Sequence, residues 1–335
     1  MLLKLPSIAD NLYIPNEWNF RNKTRKSKLP RDSYNCTLKS INLHLNQDIL
    51  NQPKNFKADL RISLNNDPFV EGNLEIKGRW RPGLPSGLLS FSQETNSQEI
   101  FIIFEDNINI KSKKNPFSDL SPAEIFDGEV LNYKLASTIT SNSLHSSVID
   151  CNLVFRDEYS IKTRGLIIES FHTINSNTID LHLDNNKTTY ESSLLFNAAD
   201  LLNLEFFEYL IGNEDFYIGY DENGRFCQHN IYSTKLDKFT TPIPFDFQFT
   251  CILTPFYHKH RDHSLIESAN INASKIIRKI RKIPGEANFT HYKNAIEKAK
   301  LIAAQIITSP PLTKKYIEYF TTFEKKLDEE YYYVD

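Results

Sequence analysis

Apolar and polar residues exchange places at nearly every position in short runs between residues 34 and 110, and this alternation constrains the fold more than any other feature. The clearest runs are Thr37-Leu38-Lys39-Ser40-Ile41-Asn42-Leu43-His44-Leu45 and Ala58-Asp59-Leu60-Arg61-Ile62-Ser63-Leu64. A period of two buries one face of a strand and wets the other, so these runs predict half-buried antiparallel strands. Asn65-Asn66-Asp67-Pro68 marks a turn between two of them.

Further along the period changes. Ser121-Pro122-Ala123-Glu124 reads as a helix start, with Ser as cap, Pro in the first turn and Glu three residues on. The helix is expected over about 121–140, burying Ile125, Val130, Leu131, Leu135 and Ile139. Strands follow at 147–155 and 161–169, then a polar stretch, Asn175 to Thr188, that reads as irregular. From Leu194 to Asn213 the spacing is helical, with Leu201, Leu204, Phe207, Leu210 and Ile211 on one apolar face. Gly212-Asn213 is its C-terminal stop. Three more helices are expected at 263–282, 287–308 and 311–331, separated by Pro284-Gly285 and Pro310-Pro311. Strands first and helices last predict a two-lobed α+β protein. Its parts are an N-terminal extension (1–33), a β-rich lobe with one helix (34–190) and a mostly helical C-terminal lobe (191–335).

Composition removes several classes of function. With 335 residues the chain can bury a sizeable core. A net charge of −3 leaves no overall electrostatic footprint for nucleic acid. The basic stretches at 21–28 and 278–282 read as a solvated loop and an exposed helix face. Ten glycines supply neither a dinucleotide fingerprint nor a P-loop. No apolar window of about eighteen residues suggests a membrane span, and Met1-Leu2-Leu3-Lys4-Leu5-Pro6 is too short an apolar run for a secretory signal. The chain therefore reads as cytoplasmic, or as the mature form of an exported protein. Cys36, Cys151, Cys227 and Cys251 are scattered, which makes reduced thiols the expectation. His258, His260 and His263 lie in an expected loop with two cations among them and read as surface rather than as a zinc site.

Chemistry concentrates in one place. Asp215, Asn230 and Asp246 are spaced about evenly within Ile211-Gly212-Asn213-Glu214-Asp215-Phe216, His229-Asn230 and Pro244-Phe245-Asp246-Phe247. Two acids and an amide are what magnesium-dependent phosphoryl transfer needs: one carboxylate to orient or deprotonate the acceptor hydroxyl, and hard oxygens to hold the metal. Asn223-Gly224 between aromatic-rich runs predicts a type I′ hairpin. That hairpin would set Tyr217 opposite Asn230 and bring Asp215 to within roughly 7 Å of it. A second excursion through 233–238 would return the chain to Asp246. Each of the three is, taken singly, also an ordinary cap or turn residue. Lys77, Arg79 and Arg81 stand in a glycine-containing basic turn that could cover phosphates or simply face water.

The stretch Phe206 to Phe216, with His229-Asn230 and Ile243-Pro244-Phe245-Asp246-Phe247, resembles a bacterial family related to the CotH spore-coat kinases, whose members read "Y-x-I-G-N-x-D-W", "H-N" and "P-Y-D-F-D". Weaker likeness in the same order extends the match over roughly residues 60 to 330, including Ile76-Lys77-Gly78-Arg79-Trp80-Arg81 and Gly165-Leu166-Ile167-Ile168-Glu169. The resemblance implies a two-lobed kinase-like fold with an antiparallel β-rich N-terminal lobe. It implies ATP- and magnesium-dependent transfer to a protein or other hydroxyl acceptor, with Asp215 as base and Asn230 and Asp246 as metal ligands. It also implies nucleotide phosphate contacts, to be met by Lys77, Arg79 or Arg81 or by Lys111, Lys113 or Lys114 further on, and an orienting acid, Glu129, on the first helix.

Departures define a second reading. Gln248 and Phe216 replace the family's second acid and its tryptophan, and the runs Leu88 to Phe91 and Ile100 to Phe104 carry no basic residue where relatives present one. A degenerate kinase acting as a binding or scaffolding module is the alternative.

Overall fold

A computed structural model describes residues 39–45, 57–76, 86–93, 96–105, 119–140, 142–156, 158–169, 198–213, 215–220, 226–236, 239–247, 250–254, 263–281 and 286–332. The chain divides into two compact units, Arg31–Val130 with Leu144–Ser176, and Leu131–Ser143 with Asn177–Asp335.

The first unit is a barrel. Its strands are β1 (Ser40–Leu45), β2 (Lys57–Leu64), β3 (Val70–Ile76), β4 (Ser86–Gln93), β5 (Asn96–Phe104), β6 (Ser146–Phe155) and β7 (Tyr159–Glu169). They close in the order β1-β2-β3-β4-β5-β7-β6, with β6 pairing β1 in parallel, Asn42 opposite Asn152. The expected antiparallel β-rich lobe of a two-lobed kinase-like fold is therefore corrected: the sheet is a closed seven-strand barrel. Closure removes the two open edges that such a lobe would have to protect. The alternating residues explain the interior. Ile41, Leu43, Leu45, Ala58, Leu60, Ile62, Leu74, Leu89, Phe91, Ile102, Cys151, Leu153 and Ile167 form one buried cluster. Gly165 belongs to the same interior, because a Cβ there would stand 2.4 Å from Cys151 Sγ. Cys151 and Cys251 are not joined in a disulfide, and burial pushes the Cys151 thiol up.

One ionic cluster ties the barrel wall to the start of helix α1 (Pro122–Ile139). Arg164 on β7 meets Glu105 at 2.6 and 2.8 Å and Asp127 of α1 at 2.9 Å, and its guanidinium lies 4.9 Å from the Phe126 ring centroid. Both carboxylates are buried, and the Glu105 hydrogen bonds hold the guanidinium well above its ordinary range. At the helix start, Ser121 and Glu124 form the expected capping box, Glu124 N–H donating to Ser121 Oγ and Ser121 N–H to Glu124 Oε2.

The second unit takes the remainder of α1 from Leu131. It adds α2 (Ala198–Leu210), the hairpins β8 (Tyr217–Tyr220) with β9 (Phe226–His229) and β10 (Ile231–Leu236) with β11 (Phe239–Pro244), and α3 (Leu265–Ile280), α4 (Glu286–Ile306) and α5 (Pro310–Tyr332). The helices lie where the 3.6-residue spacing puts them. A second capping box, Ser264 with Glu267, starts α3. Their shared core is aromatic: Phe206, Phe207, Tyr292, Phe289, Tyr316, Tyr319, Phe320 and Phe323 are all buried.

Candidate functional site

The site begins at the end of α2. Leu201, Leu204, Phe207, Leu210 and Ile211 are buried, as the apolar stripe requires. Gly212 then takes φ +66°, so its N–H reaches Tyr209 O at 3.1 Å and that of Asn213 reaches Glu208 O at 2.9 Å. This paired termination consumes carbonyls that a helix end leaves open. It also demands glycine twice over, since a Cβ on residue 212 would lie 2.3 Å from Cys251 Sγ. Cys251 N–H donates to Gly212 O, and Asn213 bridges Thr250, so the turn is sewn to the chain beyond β11.

Asp215 follows directly. Asn213 Oδ1 accepts the Asp215 N–H at 3.0 Å, and Asn213 Nδ2 donates to Glu208 Oε2 at 2.9 Å. Glu208 is fully buried, and loss of water pushes its carboxyl up to about 8 against the opposing effect of the Asn213 hydrogen bond.

Asn230 arrives by the β8–β9 hairpin. Tyr217 pairs with His229, not with Asn230 as a turn centred on Asn223-Gly224 requires. The register differs by one residue, and the turn itself, 221–225, lies outside the described residues. Across the hairpin Asn230 Nδ2 donates to Asp215 O at 2.7 Å and to Asp215 Oδ2 at 3.1 Å. Asn230 sits at φ +54°, a left-handed conformation that Asn tolerates better than most residues.

Asp246 arrives by the next hairpin. In the β10–β11 ladder Ile231 pairs with Pro244, which has no N–H to give. The pairing is carried one step further by Phe245 N–H, which donates to Asn230 O at 3.1 Å. Asp246 then turns at φ +61°, and its N–H donates to the Tyr133 hydroxyl at 3.3 Å. Phe247 anchors the turn. Its ring packs edge-on to Tyr133 and Phe207, and its carbonyl accepts from Asn132 Nδ2 at 3.4 Å.

Asp215, Asn230 and Asp246 are thus brought to one backbone junction, with two of three in left-handed geometry. Strain held at such residues by the surrounding structure is typical of functional turns. Among the described residues no three His, Cys, Asp or Glu side chains gather as a metal cage. The donors at the junction are two carboxylates and an amide whose nitrogen is committed to Asp215. That hard-oxygen set fits magnesium, which takes one or two carboxylates and completes its shell with water and substrate phosphates.

Glu129 is buried in the portion of α1 that belongs to the barrel unit. Lys77, Arg79 and Arg81 lie outside the described residues, as do His258, His260, Gln248 and the 1–33 extension. Three supporting residues were not singled out from sequence: Glu208, Asn132 and Tyr133. Only Glu208 carried a signal, as an acid on the otherwise apolar face of α2. No protein-family model matches the chain, and no curated protein matches its sequence.

Proposed function

We propose that the chain is a CotH-like phosphotransferase, moving the γ-phosphoryl group of magnesium-bound ATP to a hydroxyl on a protein or other acceptor. One observation carries this reading: Asn230 hydrogen-bonds the Asp215 carboxylate through its side chain and the residue before Asp246 through its backbone. A base and two metal-ligand candidates, far apart in sequence, therefore share one junction.

Asp215 accepts the proton as the acceptor oxygen attacks the γ-phosphorus, and the bond to the β-phosphate oxygen breaks to leave the nucleoside diphosphate. Asn230 and Asp246 are the residues that would hold magnesium. When bound, the metal neutralises charge on the phosphates and orients them. Asp215 N–H donates to Asn213 Oδ1 while Asn230 Nδ2 donates to the Asp215 carbonyl and Oδ2, and together these bonds fix its backbone and one carboxylate oxygen.

Release of phosphate from magnesium-ATP, with water as surrogate acceptor, tests the reading. Asp215→Asn should lose turnover while still binding nucleotide, because the substitution keeps the shape and removes the base. Equal turnover in the variant and the wild type contradicts the role given to Asp215.

A further inference from the structure

We propose that Glu208 is a positioning residue for Asp215, acting through the side-chain amide of Asn213; this rests on the reading of Asp215 as the base. A continuous run of hydrogen bonds leads from the core to the site. Glu208 Oε2 accepts from Asn213 Nδ2, Asn213 Oδ1 accepts from Asp215 N–H, and Asp215 accepts twice from Asn230. Glu208 and Asn213 are 0% and 1% exposed, so water cannot take over either link.

The carboxyl is not needed to end the helix. Gly212 and the backbone bonds of residues 212 and 213 do that whatever side chain residue 208 carries. It is also poorly provided for, because Glu208 Oε1 is buried with no hydrogen-bond partner among the described residues. An apolar side chain of similar size would avoid the cost of desolvating an unmatched oxygen. What the carboxyl supplies is an orientation. An asparagine amide can present either its oxygen or its NH₂ to the Asp215 N–H, and the wrong choice sets donor against donor. The acceptor on Glu208 draws the NH₂ inward and leaves the oxygen facing Asp215. Burial supports this assignment by favouring the uncharged carboxyl, which accepts from Asn213 without placing a second negative charge near Asp215.

The test compares Glu208→Leu, which keeps volume and loses the acceptor, with Glu208→Gln, which keeps an acceptor oxygen. Asn213→Ala cuts the same path one residue later and serves if the leucine variant does not fold. The first readout needs no activity: amide hydrogen exchange at Asp215, with the β10–β11 amides as internal control. The second is kcat and KM for phosphate release from magnesium-ATP. Glu208→Leu and Asn213→Ala should each speed exchange at Asp215 about tenfold and lower kcat by a similar factor at little-changed KM, the worth of one hydrogen bond. Glu208→Gln should restore both. Unchanged exchange at Asp215 in the leucine and alanine variants overturns the positioning role. Faster exchange in a protein whose wild type releases no phosphate upholds positioning and removes the phosphotransferase reading instead.

Discussion

Asn230 donates its side-chain amide to the carboxylate of Asp215, 3.1 Å away, while its own backbone is held at φ +54°. The contact and the strained conformation belong together. A left-handed residue at the junction of two hairpins turns its side chain back toward the residue that begins the first, and its carbonyl toward the residue that ends the second.

The two contributions of Asn230 can be separated by substitution. Asn230→Ala loses the hydrogen bonds and keeps the strain of a Cβ in left-handed backbone, whereas Asn230→Gly loses the bonds and relieves the strain. Denaturant unfolding should find the glycine variant about 1 kcal/mol more stable than the alanine variant. Both should lose magnesium-dependent nucleotide binding. An alanine variant as stable as the glycine one argues against left-handed backbone at this position.

Arg164 balances two buried acids, Glu105 and Asp127. Removing it leaves both without their cation, which costs more than the attraction itself contributed. The Arg164 side chain is 35% exposed, so solvent screens part of the effect. Arg164→Ala should therefore lower unfolding free energy by about 2–3 kcal/mol, measured by urea titration. A loss near zero shows that the cluster is not formed in solution.

Glu208 makes stability pH-dependent in a stated direction. Its folded-state value, raised to about 8 from the ordinary 4.5, means that the folded chain keeps a proton the unfolded chain has released. The stabilisation is whole below about pH 4.5 and is lost as pH rises through about 8, by an amount on the order of a few kcal/mol. Glu208→Gln does not ionise, so the difference in melting temperature between variant and wild type should widen in the variant's favour from pH 5 to pH 8. A constant difference over that range shows that Glu208 is not held protonated.

Local patterns were legible wherever a single element settles its own periodicity. The capping box at Ser121, the helix stop at Gly212 and the three C-terminal helices follow from residues within one or two turns of each other. The barrel was not legible, because its closing pair joins Asn42 to Asn152 in parallel and no local signal links strands so far apart. The same limit applies within the site. Its three principal residues could be chosen by chemistry, but the one-residue register of β8 against β9 depends on the loop between them, and Asn-Gly alone does not fix it. Tyr133 could not have been chosen at all, since only tertiary packing brings it to Asp246.

The central claim is that Asp215, Asn230 and Asp246 form one magnesium-nucleotide site, and a thermal-shift series addresses it most directly. Wild type and Asp246→Ala are each melted with ATP and magnesium, with magnesium alone, and with ATP plus chelator. A ligand at ~100 times its Kd stabilises the native state by roughly 2.7 kcal/mol, a rise of a few degrees in Tm. The account predicts that rise for wild type with ATP and magnesium, its loss on chelation, and its loss in Asp246→Ala. An undiminished rise in Asp246→Ala, or none in wild type under any condition, contradicts it.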